Sequence, residues 1–277
     1  MPELPEVEIT RRHLESALEG RRMVSAVITH PRTSRHNASP EEVVRRLEGR
    51  KVLSVGRHGK FIVAPLDDGH RLVAHLGMSG RFSIDIPTAP VEPHTHFRAV
   101  LDDGAEIRFV DPRTFGFVSV VDEDEIGASS LARLGPDAWT SPPTPSQLAD
   151  ALAGRTAPIK ALLLDQGPVS GLGNIYADEA LHRAGIHPLT PGGALDRVEL
   201  GRLVSAIAEV LRQAIDNGGT TLDDLSYLLP DGRAGENMSR LDVYGRTGQP
   251  CPVCSTPIER LVIRSRSSHF CPVCQRR

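Results

Sequence analysis

Apolar residues at Leu4, Val7, Leu14 and Leu18 recur at helical spacing, Pro5 is tolerated in a first turn, and Gly20 is a stop, so the chain opens on a helix. Ser39 as N-cap, Pro40 at the first position, Val43, Val44 and Leu47 on one face and Gly49 beyond the end predict a short second helix. Around and after it the period changes to two. Runs at 23–29, 51–56, 61–66, 71–76, 81–86, 97–101, 106–110 and 116–121 read as strands, and Asp67-Asp68-Gly69 and Asp102-Asp103-Gly104 have the chemistry of hairpin turns. So many short strands predict a sandwich or barrel. Residues 135–146 hold Pro136, Pro142, Pro143 and Pro145 and break both periods, which marks a linker. Beyond it the pattern is helical at 146–153, 158–165 and 174–184, then in a long amphipathic run carrying Val198, Leu203, Val204, Ile207, Val210, Leu211 and Ile215, ended by Asn217-Gly218-Gly219. The stretch 220–240 has no period and reads as a mobile loop. The fold class is α+β: a β-sandwich domain with flanking helices over 1–134, a linker over 135–146, a helical domain over 147–240 and a small terminal module over 241–277.

A chain of 277 residues supports two domains with their own cores and needs no disulfides for stability. No stretch approaches the roughly 18 to 20 uninterrupted apolar residues of a membrane span, and charges stand where a signal peptide would be apolar, so a cytoplasmic protein with no membrane partner is expected. The net charge of −3 gives no overall polyanion-binding signature. Its distribution does. From residue 240 onward Arg240, Arg246, Arg260, Arg264, Arg266, Arg276 and Arg277 face only Asp242 and Glu259, while Asp122, Glu123, Asp124 and Glu125 concentrate acid elsewhere. All four cysteines share this basic end. Cys251-x2-Cys254 and Cys271-x2-Cys274 have the spacing of a four-thiolate zinc site, with a hairpin from Ile258 to Ile263 and on to His269 and Phe270 between the knuckles. A closed shell of soft ligands makes one zinc ion structural, and its binding supplies the folding free energy of so short a module. An iron centre or two disulfides are the lesser alternatives in a cytoplasmic chain.

Met1-Pro2-Glu3-Leu4-Pro5-Glu6 is the most unusual local feature. Removal of Met1 would expose Pro2 as a secondary amine; α-amino groups titrate near pH 8, so a neutral fraction able to attack an electrophilic carbon exists at neutral pH. Glu3 would be its acid/base partner if burial raises its pKa. From six residues alone the plainer alternative carries more weight: two prolines start a helix and glutamates favour its positive end.

Met-Pro-Glu-Leu-Pro-Glu-Val-Glu at the start, His75-Leu-Gly-Met-Ser-Gly80, Asp111-Pro-Arg-Thr-Phe-Gly116, the run from Leu163 to Tyr176 (LLDQGPVSGLGNIY) and the terminal cysteines together resemble the formamidopyrimidine-DNA glycosylases, in the family's order and over nearly the whole chain. Leu4 favours this branch over the similar endonuclease VIII branch, which usually has glycine there. The resemblance implies a helix-two-turn-helix in the helical domain and a bifunctional DNA glycosylase and abasic-site lyase, a monomer acting on double-stranded DNA that contains oxidised purines or abasic sites. It implies Pro2 as nucleophile at the deoxyribose C1′, a Schiff base followed by β- and δ-elimination, Glu3 handling protons at the sugar, and Lys60 approaching the lesion and its flanking phosphate. Met78, Arg113 and Phe115 match the residues that fill the hole left by an everted nucleotide. Isolated, Met78 and Phe115 would read as core and Lys60 as solvated surface. Asn174 reads as a helix N-cap, and the resemblance adds a phosphate contact there, with others at His94 and at Arg266 of the zinc finger. Phosphate tracking of this kind predicts salt-sensitive binding without sequence preference.

One segment departs from the family. Where an aromatic pair is usual in the loop closing over the everted base, this chain has Glu236 and Asn237 after Gly232-Arg-Ala-Gly235, which puts preference for 8-oxoguanine in question while leaving the amine chemistry intact. Two further readings are a same-fold protein that binds damaged DNA without turnover and a zinc-finger nucleic-acid binder. Pro2, Glu3 and Lys60 speak against the first, and the motifs throughout 1–176 against the second.

Overall fold

The structure, a computed structural model, describes residues 2–222, 227–229 and 231–276. Met1, whose removal the amine chemistry requires, and part of the expected loop at 220–240 lie outside the described residues. Two compact units emerge: Met1–Ala132 with Asn217–Met238, and Arg133–Asp216 with Ser239–Arg277.

In the first unit the opening helix α1 spans Leu4–Leu18 and the second, α2, Pro40–Leu47, with the Ser39 hydroxyl accepting the Glu42 N–H at 3.3 Å as a capping serine should. Strands β1 (Met23–Ile28), β2 (Gly56–His58), β3 (Phe61–Pro65), β4 (Arg71–His75), β5 (Arg81–Asp85), β6 (Thr95–Leu101), β7 (Glu106–Val110) and β8 (Phe117–Val121) form two antiparallel four-stranded sheets, ordered β1-β6-β7-β5 and β2-β3-β4-β8. Alternate residues of both sheets, Ile62, Ala64, Leu72, Ala74, Phe97, Ala99 and Phe109 among them, meet Val7, Leu14 and Leu18 of α1 in one core, which makes the unit a sandwich closed by helices. The two Asp-Asp-Gly segments join β3 to β4 and β6 to β7. One expected strand fails: 51–56 contributes only bridges at Lys51 and Val52, and β2 begins at Gly56, because the run buries Val52 and Val55, three residues apart, and exposes Leu53 between them, which breaks the period of two. The acidic run forms helix α3 (Glu123–Ala128), capped by Asp122.

The second unit holds α4 (Pro145–Leu152), α5 (Ile159–Leu164), α6 (Asn174–Ala184), α7 (Arg197–Asp216) and the hairpin β9 (Glu259–Ile263) with β10 (Arg266–Phe270). The proline-rich stretch begins stitched into it rather than hanging free: Gly135 N–H bonds Gln166 O, Ala138 N–H bonds Ser170 O, and Asp137 is buried. Residues 217–238, which follow α7 in the chain, pack with the first unit.

Candidate active site and zinc centre

Glu3 stands just ahead of α1 in extended backbone and is 1 % exposed; Pro2 is buried beside it. Glu6 organises this end. One of its carboxylate oxygens accepts the Glu3 N–H at 2.8 Å and the other accepts the Thr220 N–H at 2.8 Å, so one side chain ties the head of α1 to the start of the 217–238 segment. Gly219 allows the approach: at φ +80° a Cβ there would lie 2.9 Å from Glu6 Oε1 and 3.2 Å from the Tyr227 ring. The stem continues through Asn237, whose N–H bonds Gly219 O and whose Nδ2 donates to Thr220 Oγ1 at 3.0 Å. Asn237 is buried and Glu236 pairs backbone to backbone with Thr220, so the residues standing where an aromatic pair was expected build the base of the loop.

Lys60, half-buried, sits in the turn between β2 and β3. Its turn is anchored by Arg57, which donates to Glu8 of α1 at 3.0 Å and to Gly59 O at 2.8 Å. Burial pushes the Glu8 carboxyl upward, but Arg11, Arg57 and Arg12 together hold it below its usual range. The charge of Lys60 also reaches His75, which burial first and then Lys60, Arg35 and His36 press down to about 4. His75 is therefore neutral, its Nδ1 accepting the Gly77 N–H at 2.9 Å. The unfolded chain takes up that proton near pH 6.5 and the folded one only near 4, so stability is full above pH 6.5 and drains as pH falls toward 4, by about 3 kcal/mol. We expect His75→Asn, whose Oδ1 can replace Nδ1 as acceptor, to remove that much of the pH dependence; parallel urea titrations from pH 7 to pH 4 check it, and identical slopes would contradict it.

Met78 and the pair Arg113 and Phe115 lie on two loops that the structure knits together. Ser79 donates to Asp111 at 2.7 Å, Asp111 accepts the Gly116 N–H at 2.7 Å, and Arg35 donates to the carbonyls of Gly116 and Phe115 at 2.6 and 2.8 Å. Backbones touch at Gly77, where φ is +64° and a Cβ would lie 2.3 Å from Gly116 N. Phe115 is 41 % exposed, with the guanidinium of Arg113 5.3 Å from its ring centre, so it is no core residue; Met78 is half-buried. His94 is exposed just before β6 with φ +64°, its carbonyl accepting the Asp111 N–H; the ring of His96 neighbours it, and His30 in turn packs against His96. Strain of this kind in a non-glycine residue persists only where surrounding bonds impose it.

In the second unit the N-cap of α6 is Gly173, and Asn174 is the first helical residue, which corrects the expected N-cap. Its Nδ2 donates to Ser267 Oγ at 3.3 Å while Oδ1 is buried without a partner. Arg266 is exposed at the start of β10, beyond a two-residue turn in which Arg264 and Ser265 both take positive φ, the geometry a tight hairpin demands. Helix α6 holds this hairpin and the segment leading into the cysteines through three more side chains. Asp178 accepts from Ser268 Oγ and His269 N and pairs with fully buried Lys160 at 2.7 Å; Glu179 accepts the N–H groups of Asp242, Val243 and Tyr244 at 2.8 to 3.0 Å; His182 reaches Cys251. The four cysteine sulfurs lie within 4.8 Å of one another, with Cys251–Cys274 at 3.9 Å and Cys254–Cys271 and Cys254–Cys274 at 3.4 Å. Tetrahedral zinc with Zn–S near 2.3 Å sets sulfurs about 3.8 Å apart, so the set fits one structural zinc ion held by Cys251, Cys254, Cys271 and Cys274.

Sequence reasoning missed Glu6, Arg57, Asp111, Lys160, Asp178, Glu179 and His182. Asp111 had a signal, its place in Asp-Pro-Arg-Thr-Phe-Gly; the others act through partners far along the chain. Among the described residues no helix is long and apolar enough to cross a membrane.

Comparison with known proteins agrees with this geometry. Three family models match: the formamidopyrimidine-DNA glycosylase N-terminal domain over residues 1–118, the formamidopyrimidine-DNA glycosylase H2TH domain over 134–226, and the zinc finger found in FPG and IleRS over 248–277. The formamidopyrimidine-DNA glycosylase of Chloroflexus aggregans is 45% identical over 99% of this chain and 98% of its own. The crystal structure of the MutM (Fpg) protein of Thermus thermophilus superposes with a TM-score of 0.87 at 42% identity, covering 99% of this chain and 98% of that one. That of Lactococcus lactis Fpg in complex with DNA containing an abasic site does so with a TM-score of 0.89 at 33% identity, covering both chains in full. A match of this extent in sequence, fold and metal site means that the chain belongs to the formamidopyrimidine-DNA glycosylase family, zinc-finger DNA glycosylases of base excision repair.

Proposed function

We propose that the chain excises oxidised purines, formamidopyrimidines and 8-oxoguanine among them, from duplex bacterial DNA, and then cuts the strand. With Met1 removed, the Pro2 nitrogen attacks C1′ of the everted nucleotide. The glycosidic bond breaks and the base leaves with a proton. Opening of the sugar ring gives a Pro2 iminium, from which β-elimination releases the 3′ phosphate and δ-elimination the 5′ phosphate. Glu3 moves the protons at the sugar; Lys60 grips the lesion's flanking phosphate; Met78, Arg113 and Phe115 fill the vacated stack; His94, Asn174 and Arg266 hold phosphates. The observation that carries the reading is the head of α1, where Glu3 is withdrawn from solvent beside Pro2 and Glu6 fixes both it and the loop stem. A carboxyl so withdrawn is suited to proton transfer. Asn237 and Glu236 belong to the stem, so their departure from the family's aromatics does not argue against purine lesions. Related structures contain DNA with Fapy-dG and with abasic sites, which supports the same ligands here.

The test is borohydride trapping on duplexes carrying 8-oxoguanine, a formamidopyrimidine, an oxidised pyrimidine or a bare abasic site, with the crosslink located by peptide mass spectrometry. An adduct on Pro2, strongest with the purine lesions and the abasic site, is expected. Tight binding with no adduct on any duplex, from protein shown to lack Met1, would turn the assignment toward a damage-binding protein.

A further inference from the structure

The zinc centre has a partner outside the finger. His182 lies in the last turn of α6 with its side chain 3 % exposed, and its Nε2 is 3.4 Å from Cys251 Sγ. Cys251 and Cys271 are the two buried sulfurs of the four, at 2 % and 0 % exposure. Zinc(II) with four thiolates carries a net double negative charge, and a buried thiolate shut off from water needs a donor to spread it. Cys271 Sγ receives the Cys274 N–H at 3.4 Å from within its own knuckle. Cys251 Sγ is met by a side chain delivered from a helix 69 residues earlier in the chain.

We propose that His182 is a positioning residue of the zinc centre: its Nε2–H donates to the Cys251 thiolate, slowing zinc loss and locking the finger to α6. The other ring nitrogen fixes the tautomer. Nδ1 is buried without a hydrogen-bond partner, and the nearest acid, Asp242, is 4.0 Å away, beyond hydrogen-bond reach. An imidazole with a single partner at Nε2, and that partner a thiolate, carries its proton on Nε2. The bond also completes a row along α6. Asp178 holds β10, its neighbour Glu179 holds the backbone entering the finger, and His182, one turn further along the same helix, holds the first zinc ligand. Removing the last would leave the hairpin docked but the metal shell free to open at Cys251.

The experiment uses full-length zinc-loaded protein and follows zinc transfer to excess 4-(2-pyridylazo)resorcinol by absorbance. Outer donors of this kind typically change metal affinity 10- to 100-fold, so His182→Phe, which keeps the ring and loses the donor, is expected to release zinc about tenfold faster. His182→Gln, whose amide nitrogen can occupy the place of Nε2, is expected to stay within about twofold of the parent protein. Equal rates for His182→Phe and the parent, or equally fast release by both variants, would overturn the assignment. A second measurement needs no substitution: long-range ¹⁵N–¹H spectra of the parent protein report which ring nitrogen is protonated. Protonated Nε2 is expected, and a proton on Nδ1 alone would overturn the proposal even if His182→Phe proved unable to fold.

Discussion

Glu3→Gln is expected to lower excision of an oxidised purine by about 10²- to 10⁴-fold, the usual worth of a positioned acid/base group, while trapping on a pre-formed abasic site falls by no more than about tenfold. Glutamine keeps the shape of the buried side chain and leaves the Glu3 N–H free to bond Glu6, so the backbone at the head of α1 has no reason to move. What it loses is proton transfer. Breaking a glycosidic bond and opening the sugar both demand it, whereas an abasic sugar already presents an aldehyde with which the Pro2 amine can condense. Single-turnover excision and borohydride trapping, measured side by side on matched duplexes, resolve the two. An equal loss in both would make Glu3 a structural support for Pro2, and no loss in either would remove it from the chemistry.

The parts of this fold that were legible in the sequence are those whose cause is local. Alternation over 61–66, 71–76 and 106–110 became strands because each run has one face for the core, and Ser39-Pro40 capped α2 because both residues act within one turn. The four cysteines were legible for the same reason: two short knuckles at metal spacing need little else. What stayed hidden depends on distant partners. Nothing near Glu6 indicates that its carboxylate meets the Thr220 amide, and a lysine in a helical run, Lys160, gives no sign that Asp178 and Ser267 await it in the interior. The stretch at 220–240 hid its contacts for the same reason. Its lack of period is real, yet the backbone pairs Thr220 with Glu236 and buries Asn237, because loop stems are held by single hydrogen bonds that leave no periodic trace. Asn237, which stands where the family usually has an aromatic, is in the structure a hydrogen-bonding residue at the foot of the loop.

Lys160→Met is expected to destabilise the second unit by about 3 to 5 kcal/mol, the typical cost of stranding one member of a buried ion pair. Both side chains are withdrawn from water completely, Nζ lies 2.7 Å from Asp178 Oδ1, and the same ammonium donates to Ser267 O at 2.6 Å. Methionine matches the lysine stem in volume but takes the ammonium from the Asp178 carboxylate, which keeps Ser268 Oγ, the His269 N–H and the His269 ring Nδ1, 3.2 Å away, as its partners. Asp178→Asn alone strands the ammonium instead. The double variant strands neither charge, so it should recover to within about 1 to 2 kcal/mol of the parent, and that non-additivity separates an ion pair from two unrelated packing defects. Hydrogen exchange along α6 and β10 in rising urea reads the loss within this unit. The consequence for DNA follows from position: Lys160 holds the carbonyl of Ser267, whose hydroxyl meets Asn174 and whose neighbour is Arg266, so the two phosphate contacts proposed in this unit rest on the same strand. Loosening it should weaken duplex binding in Lys160→Met, and the double variant, which still lacks the bond to Ser267 O, should recover it only in part. A Lys160→Met protein whose β10 exchanges at parental urea concentrations would mean that water reaches the pair and that the strand is held by the zinc and Glu179 alone.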